Sequence, residues 1–143
     1  MLVLAVVAVS CADPTVAAPG AGDALPTLTC HAAYRDSVER GIQREETVEL
    51  EPASDDTIPF PDASIGFQYS FDEGEGAALV TTVTTREGRE FHQTLYQLGG
   101  GGAGDDLQLV ELNSFLGGHG FTGLNYAYPP GSDAEVQYWC AAE

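Results

Sequence analysis

The sequence Glu135-Val136-Gln137-Tyr138-Trp139-Cys140-Ala141, near the C-terminal end of the chain, decides the fold. Side chains of a β-strand alternate between two faces, so Val136, Tyr138 and Cys140 share one face of this stretch. The opposite face carries Glu135, Gln137 and Trp139. This alternation predicts a half-buried strand whose cysteine lies on the buried face.

Cys140 has a plausible partner in Cys30, which lies in an alternating stretch, Thr27 to Tyr34, at the front of the globular part. If both cysteine-bearing faces line one core, the first and last strands are adjacent or opposed. A disulfide would then join them at the usual Cα separation of about 4.4–6.8 Å. A redox-active pair is more often close in sequence, as in Cys-x-x-Cys, so the spacing favours a structural bond.

Six further strands are predicted between these two from alternation and β-branched content. They cover residues 47–51, 65–71, 78–85, 91–98, 107–112 and 122–128. Residues 54–61 and 99–104 are predicted loops, residues 86–89 a hairpin turn, and residues 36–45 a hairpin loop in preference to a short helix. Short strands at this spacing, with no long helix, predict an all-β domain that is an antiparallel β-sandwich or a small β-barrel.

The composition fits one globular domain with an acidic surface. The chain has 143 residues, 43% of them hydrophobic, and 22 acidic side chains against 5 basic ones give a net charge of −17. A field of this sign repels phosphates, so we expect no nucleic-acid binding. The acidity is typical of a solvated surface, with a dedicated acidic binding face as the alternative.

The first residues form an apolar run, Leu2 to Val9, which fits a signal-peptide core and is too short to span a bilayer. Ala8-Val9-Ser10-Cys11 then resembles the lipobox of bacterial lipoproteins, with Ala8 where leucine is usual. The resemblance implies cleavage before Cys11 and attachment of lipid to its thiol. The alternative is ordinary secretion with cleavage after Ala12.

Residues 11–26 are rich in Ala, Pro and Gly and read as a lipidated cysteine followed by a flexible tether. The expected organisation is a signal peptide over 1–10, this tether, and a β-domain over 27–143. The expected location is the cell envelope, with the membrane contacted through the N-terminal lipid. If Cys11 carries lipid, Cys30 and Cys140 remain as an even pair in an exported chain, the usual condition for a disulfide.

No catalytic residue, metal ligand or cofactor is assigned from the sequence. His31, His92 and His119 lack a metal-ligand spacing such as His-x-x-x-His, and no Gly-x-Ser-x-Gly motif is present. Gly101 to Asp106 matches the start of the calcium-binding nonapeptide repeat, but one copy cannot complete a site that is held between stacked turns. A hairpin loop is the prediction there.

Three functional hypotheses follow. The first is a non-catalytic binding or structural role at the envelope, with an envelope protein or a small ligand as partner. The second is a carrier of a small apolar ligand inside a barrel. The candidate lining residues are Phe67, Tyr69, Phe71, Tyr126 and Tyr138. The third is an enzyme with a site near His119.

Overall fold

A computed structural model describes residues 25–72, 76–98 and 118–142, which form an all-β sandwich. Its strands are β1 (Leu28–Arg35), β2 (Arg44–Leu50), β3 (Ser54–Pro59), β4 (Ala63–Asp72), β5 (Gly76–Thr85), β6 (Glu90–Gln97), β7 (Asn125–Ala127) and β8 (Glu135–Ala142). Two antiparallel four-stranded sheets have the orders β2-β1-β8-β7 (first sheet) and β3-β4-β5-β6 (second sheet). Over the described residues these sheets do not close into a barrel, so the sandwich prediction is confirmed and the barrel alternative is not.

The first and last strands are neighbours in the first sheet, which is one of the two placements that the cysteine pair predicts. β1 and β8 pair antiparallel with Leu28 opposite Ala142 and Cys30 opposite Cys140. β1 also pairs with β2 on its other side, so it is a central strand bonded along both edges. The beginning of β1 and the end of β8 therefore lie side by side.

The core lies between the sheets and is built from the inward phase of the strands. In β8, Val136, Tyr138 and Cys140 are fully buried, as the alternation predicts. The ring of Phe67 in β4 meets the ring of Tyr138 edge-on at 6.3 Å between centroids. Burial of each large apolar side chain contributes about 1.5–3 kcal/mol, so this ring pair is one of the contacts that hold the two sheets together.

Two strand predictions are corrected by the structure. Residues 54–61, predicted as a loop, contain β3, which pairs with β4 at the edge of the second sheet. Its acidic residues are exposed and Ile58 is its one buried side chain, so a polar edge strand resembles a loop in sequence. The strand predicted over 122–128 is limited to β7, because Gly123 takes a positive φ of 67° just before it. The predicted strand over 107–112 and the glycine-rich loop lie outside the described residues.

The connection between β1 and β2 is a hairpin loop, as predicted, and contains no helix. The backbone N–H of Gln43 donates to the carbonyl of Tyr34 at 2.9 Å, which closes the loop. Val38 and Ile42, which recur with Tyr34 at a helix-like spacing, are 50% and 39% exposed. That spacing therefore marks no buried helical face.

The sandwich has two distinct ends. The loop end carries the connections at residues 36–43, 60–62, 86–89 and 128–134. Tyr34 and Phe60 stack there at 5.2 Å across the sheets. The terminal end carries the start of β1, the end of β8 and the turn between β2 and β3. Leu25 packs against the core at this end, and the hydroxyl of Tyr69 donates to the carbonyl of Pro26 at 3.0 Å.

Candidate functional site

The Cys30–Cys140 disulfide ties the first strand to the last near the terminal end. Their Cα atoms are 4.1 Å apart, slightly closer than the predicted range, because the residues are direct cross-strand partners. Both cysteines have no exposed surface, and the bond closes a separation of 110 residues. This arrangement is that of a buried structural bond.

Tyr138 centres a polar network between the sheets. Its hydroxyl lies 2.9 Å from Nε2 of His92, 3.3 Å from Oγ1 of Thr81 and 3.4 Å from Oγ1 of Thr94. Burial raises the pKa of Tyr138, and the hydrogen bonds with the two threonines act in the opposite direction. The phenol stays protonated at neutral pH and joins β8 to β5 and β6. His92, which is half-buried, is therefore a hydrogen-bond partner of a buried phenol.

The five aromatic side chains proposed to line a barrel are not brought together. Phe67, Tyr69 and Tyr138 are buried between the sheets, where they fill the core. Phe71 and Tyr126 are 49% and 45% exposed on the outside. Neither of the two clefts described below is lined by any of these five residues.

The other two histidines lie beside Trp139 on the outer face of the first sheet. The ring of His31 stacks on Trp139 at 3.9 Å, and His119 meets the same indole edge-on at 5.7 Å. Nδ1 of His31 is 3.0 Å from the hydroxyl of Thr47. Burial lowers the pKa of His31, with nearby Glu45 opposing the shift, so its imidazole is neutral at pH 7.

The loop around His119 is held against β8 by its glycines. Gly120 has a φ of +59°, and a Cβ built on it would lie 2.0 Å from the carbonyl oxygen of Cys140. The next residue, Phe121, donates its backbone N–H to that same oxygen at 3.0 Å. Glycine at 120 is therefore required because the loop packs closely on the last strand. The glycine beside His119 thus has a structural explanation that does not involve catalysis.

Among residues 25–72, 76–98 and 118–142, no group of three or more His, Cys, Asp or Glu side chains could hold a metal ion. The same part of the chain contains no helix of the length and hydropathy needed to cross a membrane.

A buried ion pair lies on the outer face of the first sheet near the loop end. Nη2 of Arg35 is 2.9 Å from both carboxylate oxygens of Glu135. Glu135 is only 1% exposed, although the alternation places it on the outer face. Burial alone would raise the pKa of Glu135, but hydrogen bonds from Arg35, Gln137 and Tyr128 outweigh it and lower the pKa below its ordinary value.

Glu135→Gln should destabilise the domain by about 1–3 kcal/mol at pH 7, because Arg35 loses its charged partner. A depressed carboxylate pKa gives stability above the ordinary value of 4.5, and this stability is lost as the pH falls through the folded-state pKa. The difference between wild type and variant should therefore shrink at pH 3. Urea unfolding of both proteins at pH 7 and pH 3 measures it.

Glu49→Gln, at an exposed position of β2, is the matched control and should change stability by less than about 0.5 kcal/mol at either pH. Protonation of the many surface carboxylates at pH 3 changes the free energy of unfolding of wild type and variants alike. This general effect cancels when they are compared at the same pH. A wild-type advantage over Glu135→Gln that is equal at both pH values would contradict the role of this ion pair.

Two open clefts lie at the loop end. The acidic cleft, of about 400 Å³, is bounded by Tyr128, Glu39, Asp133, Ser37, Ser132 and Val38. The arginine cleft, of about 510 Å³, is bounded by Arg44, Arg86, Phe60, Ser64, Pro59 and Pro61. Both volumes fall in the range of small-molecule sites. The loop end therefore offers two preformed concave surfaces of opposite charge.

Neither cleft could be predicted from the sequence, because most of the lining residues lie in the connections between strands. One short sequence could have pointed to the arginine cleft. Pro59-Phe60-Pro61 places an aromatic ring between two prolines in a segment predicted to be a loop, and Phe60 is only 8% exposed. A buried ring in a predicted loop indicates a fixed connection, and fixed connections are suited to binding.

Comparisons with protein-family models, with curated proteins and with solved structures found no match to this chain.

Proposed function

We propose that the chain is an exported lipoprotein whose β-sandwich binds a partner at the cell envelope without catalysing a reaction. Cys11 is its mature N-terminus and carries the lipid, and residues 12–24 hold the domain away from the membrane. The observation that carries the proposal is the placement of both clefts at the loop end, opposite the end where β1 begins. A tether entering at the terminal end presents both clefts away from its anchor.

Two further features support export and binding. A disulfide that is fully buried in the core is compatible with an oxidising compartment outside the cytosol. Clefts formed by short, hydrogen-bonded connections keep their shape before a ligand arrives, which reduces the entropy lost on binding. The core position of Phe67, Tyr69 and Tyr138 gives no support to the carrier hypothesis.

Protein extracted from the envelope with detergent should have an intact mass that lacks residues 1–10 and includes added acyl mass. Cys11→Ser should abolish the acyl mass and move the protein from the membrane fraction to the soluble fraction. Cys11 is the only residue changed, and the Cys30–Cys140 bond is left intact as an internal control. A wild-type protein that is soluble, unmodified and begins after residue 11 would contradict the lipid anchor.

Native mass spectrometry of the same detergent extract tests the binding role. We expect a second, heavier species that carries a bound molecule or protein. Substitutions Ser132→Trp and Ser64→Trp, which fill the acidic and the arginine cleft respectively, should reduce that species when its cleft holds the partner. An adduct unchanged by both substitutions would show that the loop end is not the binding surface.

A further inference from the structure

The arginine cleft concentrates positive charge in a strongly acidic protein. The chain has five basic side chains, all arginines, and 22 acidic ones. Arg35 and Arg40 form ion pairs with acids outside the cleft, and Arg44 forms one with Glu46 through its Nε alone. Arg44, at the start of β2, and Arg86, in the hairpin between β5 and β6, line the same cleft.

Arg44 is oriented by its neighbours, which leave part of its guanidinium available. Its Nε donates to Glu46 at 2.9 Å, and its Cζ lies 5.5 Å from the ring centroid of Phe60. Phe60 in turn stacks on Tyr34, so the guanidinium rests on a fixed aromatic pair. The terminal Nη groups of Arg44 make no hydrogen bond with any residue that the structure describes. These two groups carry four N–H donors in the planar geometry that suits an oxyanion.

Arg86 faces the cleft from a rigid hairpin. Backbone bonds from Gly88 to Thr85 at 2.9 Å and from Thr85 to Arg89 at 2.8 Å hold the turn, and Gly88 adopts a positive φ of 81°. Arg86 is exposed and, within the described ranges, forms no ion pair. Its guanidinium is therefore a free cation at a fixed backbone position.

Two acids lie near the arginines, and they leave donors open. Glu46 pairs with Nε of Arg44 and not with its Nη groups. Asp62 accepts the hydroxyl of Tyr34 and, among the described residues, forms no ion pair with either arginine. Charges farther away act weakly, because the screening length is about 10 Å at 0.1 M salt. At such salt concentrations the overall charge of −17 slows the approach of an anion, but local contacts determine whether it binds.

The walls of the cleft select for more than a bare ion. Pro59 and Pro61 are exposed apolar surfaces on one side, and Ser64 adds a hydroxyl that lies 2.7 Å from that of Thr84. The volume of about 510 Å³ far exceeds that of one phosphate or carboxylate group. An occupant that uses the whole cleft has an oxyanion for the arginines and an apolar body for the prolines.

We propose that the arginine cleft binds a small organic oxyanion, a carboxylate or phosphate ester with an apolar body, bridged by Arg44 and Arg86. The inference rests on the proposed binding role and names the ligand class for one of its two clefts. The oxyanion accepts hydrogen bonds from the Nη groups of Arg44 and the guanidinium of Arg86. The apolar body lies against Pro59 and Pro61.

The test titrates backbone amide resonances of the full chain carrying Cys11→Ser, oxidised so that Cys30 and Cys140 are bonded. The probes are phenyl phosphate, phenylacetate, inorganic phosphate and the neutral benzyl alcohol, each in 0.1 M NaCl. Saturable shifts are expected for Phe60, Ser64 and Thr85 with the two aromatic anions. The anion with the lower dissociation constant shows whether the cleft prefers a phosphate or a carboxylate group. Inorganic phosphate should bind more weakly, and benzyl alcohol should cause no saturable shift.

Arg86→Gln should weaken binding of the aromatic anions about tenfold, because one charged hydrogen-bond donor is removed. Arg89→Gln is the matched control, since it removes the same charge from the same hairpin outside the cleft, and it should bind as wild type does. Arg86 is exposed, so neither change threatens the fold. Equal weakening by both variants, or no saturable shift with any anion, would overturn the proposal. The lipid anchor and the native adduct are measured separately and would stand.

Discussion

Breaking the Cys30–Cys140 bond should lower the free energy of unfolding by about 2–5 kcal/mol. The bond closes a separation of 110 residues, so opening it increases the number of conformations open to the unfolded chain. The measurement is urea unfolding of the oxidised protein and of the protein reduced under mild denaturant, with the thiols counted in each sample. This loss is a large part of the 5–15 kcal/mol typical of a whole domain.

The double variant Cys30→Ala/Cys140→Ala is the control for the reductant. It should unfold at a lower urea concentration than the oxidised wild type, and reductant should leave its transition unchanged. If the wild type keeps its midpoint after both thiols are shown to be free, the bond contributes no stability and the pairing of β1 with β8 suffices alone.

Gly120→Ala should destabilise the domain by about 3–5 kcal/mol, or prevent folding. Three effects add at this position. A positive φ costs an alanine about 1–2 kcal/mol. The new Cβ would lie 2.0 Å from the Cys140 carbonyl oxygen, and such overpacking costs about 1–3 kcal/mol. The backbone shift that relieves the clash also weakens the hydrogen bond from Phe121.

Gly118→Ala separates these effects. Gly118 lies two residues earlier in the same loop and has a φ of +79°, but nothing lies within 4 Å of a Cβ built there. Its substitution should cost only the backbone strain of about 1–2 kcal/mol. Thermal and urea unfolding of the two variants give the comparison. Equal losses at both positions would show that the loop does not pack on β8 as closely as the structure indicates.

The strands with strong alternation could be predicted from the sequence. Val136, Tyr138 and Cys140 fall inward as predicted. The shared phase of Cys30 and Cys140 predicted that the first and last strands are adjacent or opposed, and the structure shows them adjacent. These features follow from the two-residue period of a strand, which is a local property. β3 was missed because an edge strand with acidic side chains buries too little to show that period.

The candidate sites could not be predicted, because they depend on contacts between distant segments. Arg44 and Arg86 meet only because the two sheets align at the loop end. Glu135 has the outward phase that the alternation gives it, yet Arg35 and Tyr128 cover it. The alternation along a strand predicts which face a residue occupies. It does not predict which side chains from other segments cover that residue.

The central position of β1 has a mechanical consequence for the proposed anchored chain. A force between the anchor and a partner held at the loop end enters at residue 25 and runs along β1. β1 is hydrogen-bonded to β2 on one edge and to β8 on the other. The backbone hydrogen bonds between antiparallel strands run perpendicular to the strands. A pull along β1 therefore loads all of these bonds at the same time and does not break them one after another. The Cys30–Cys140 bond passes part of the tension covalently to β8. If the chain is anchored as proposed, we expect the domain to remain folded when a force acts on its tether.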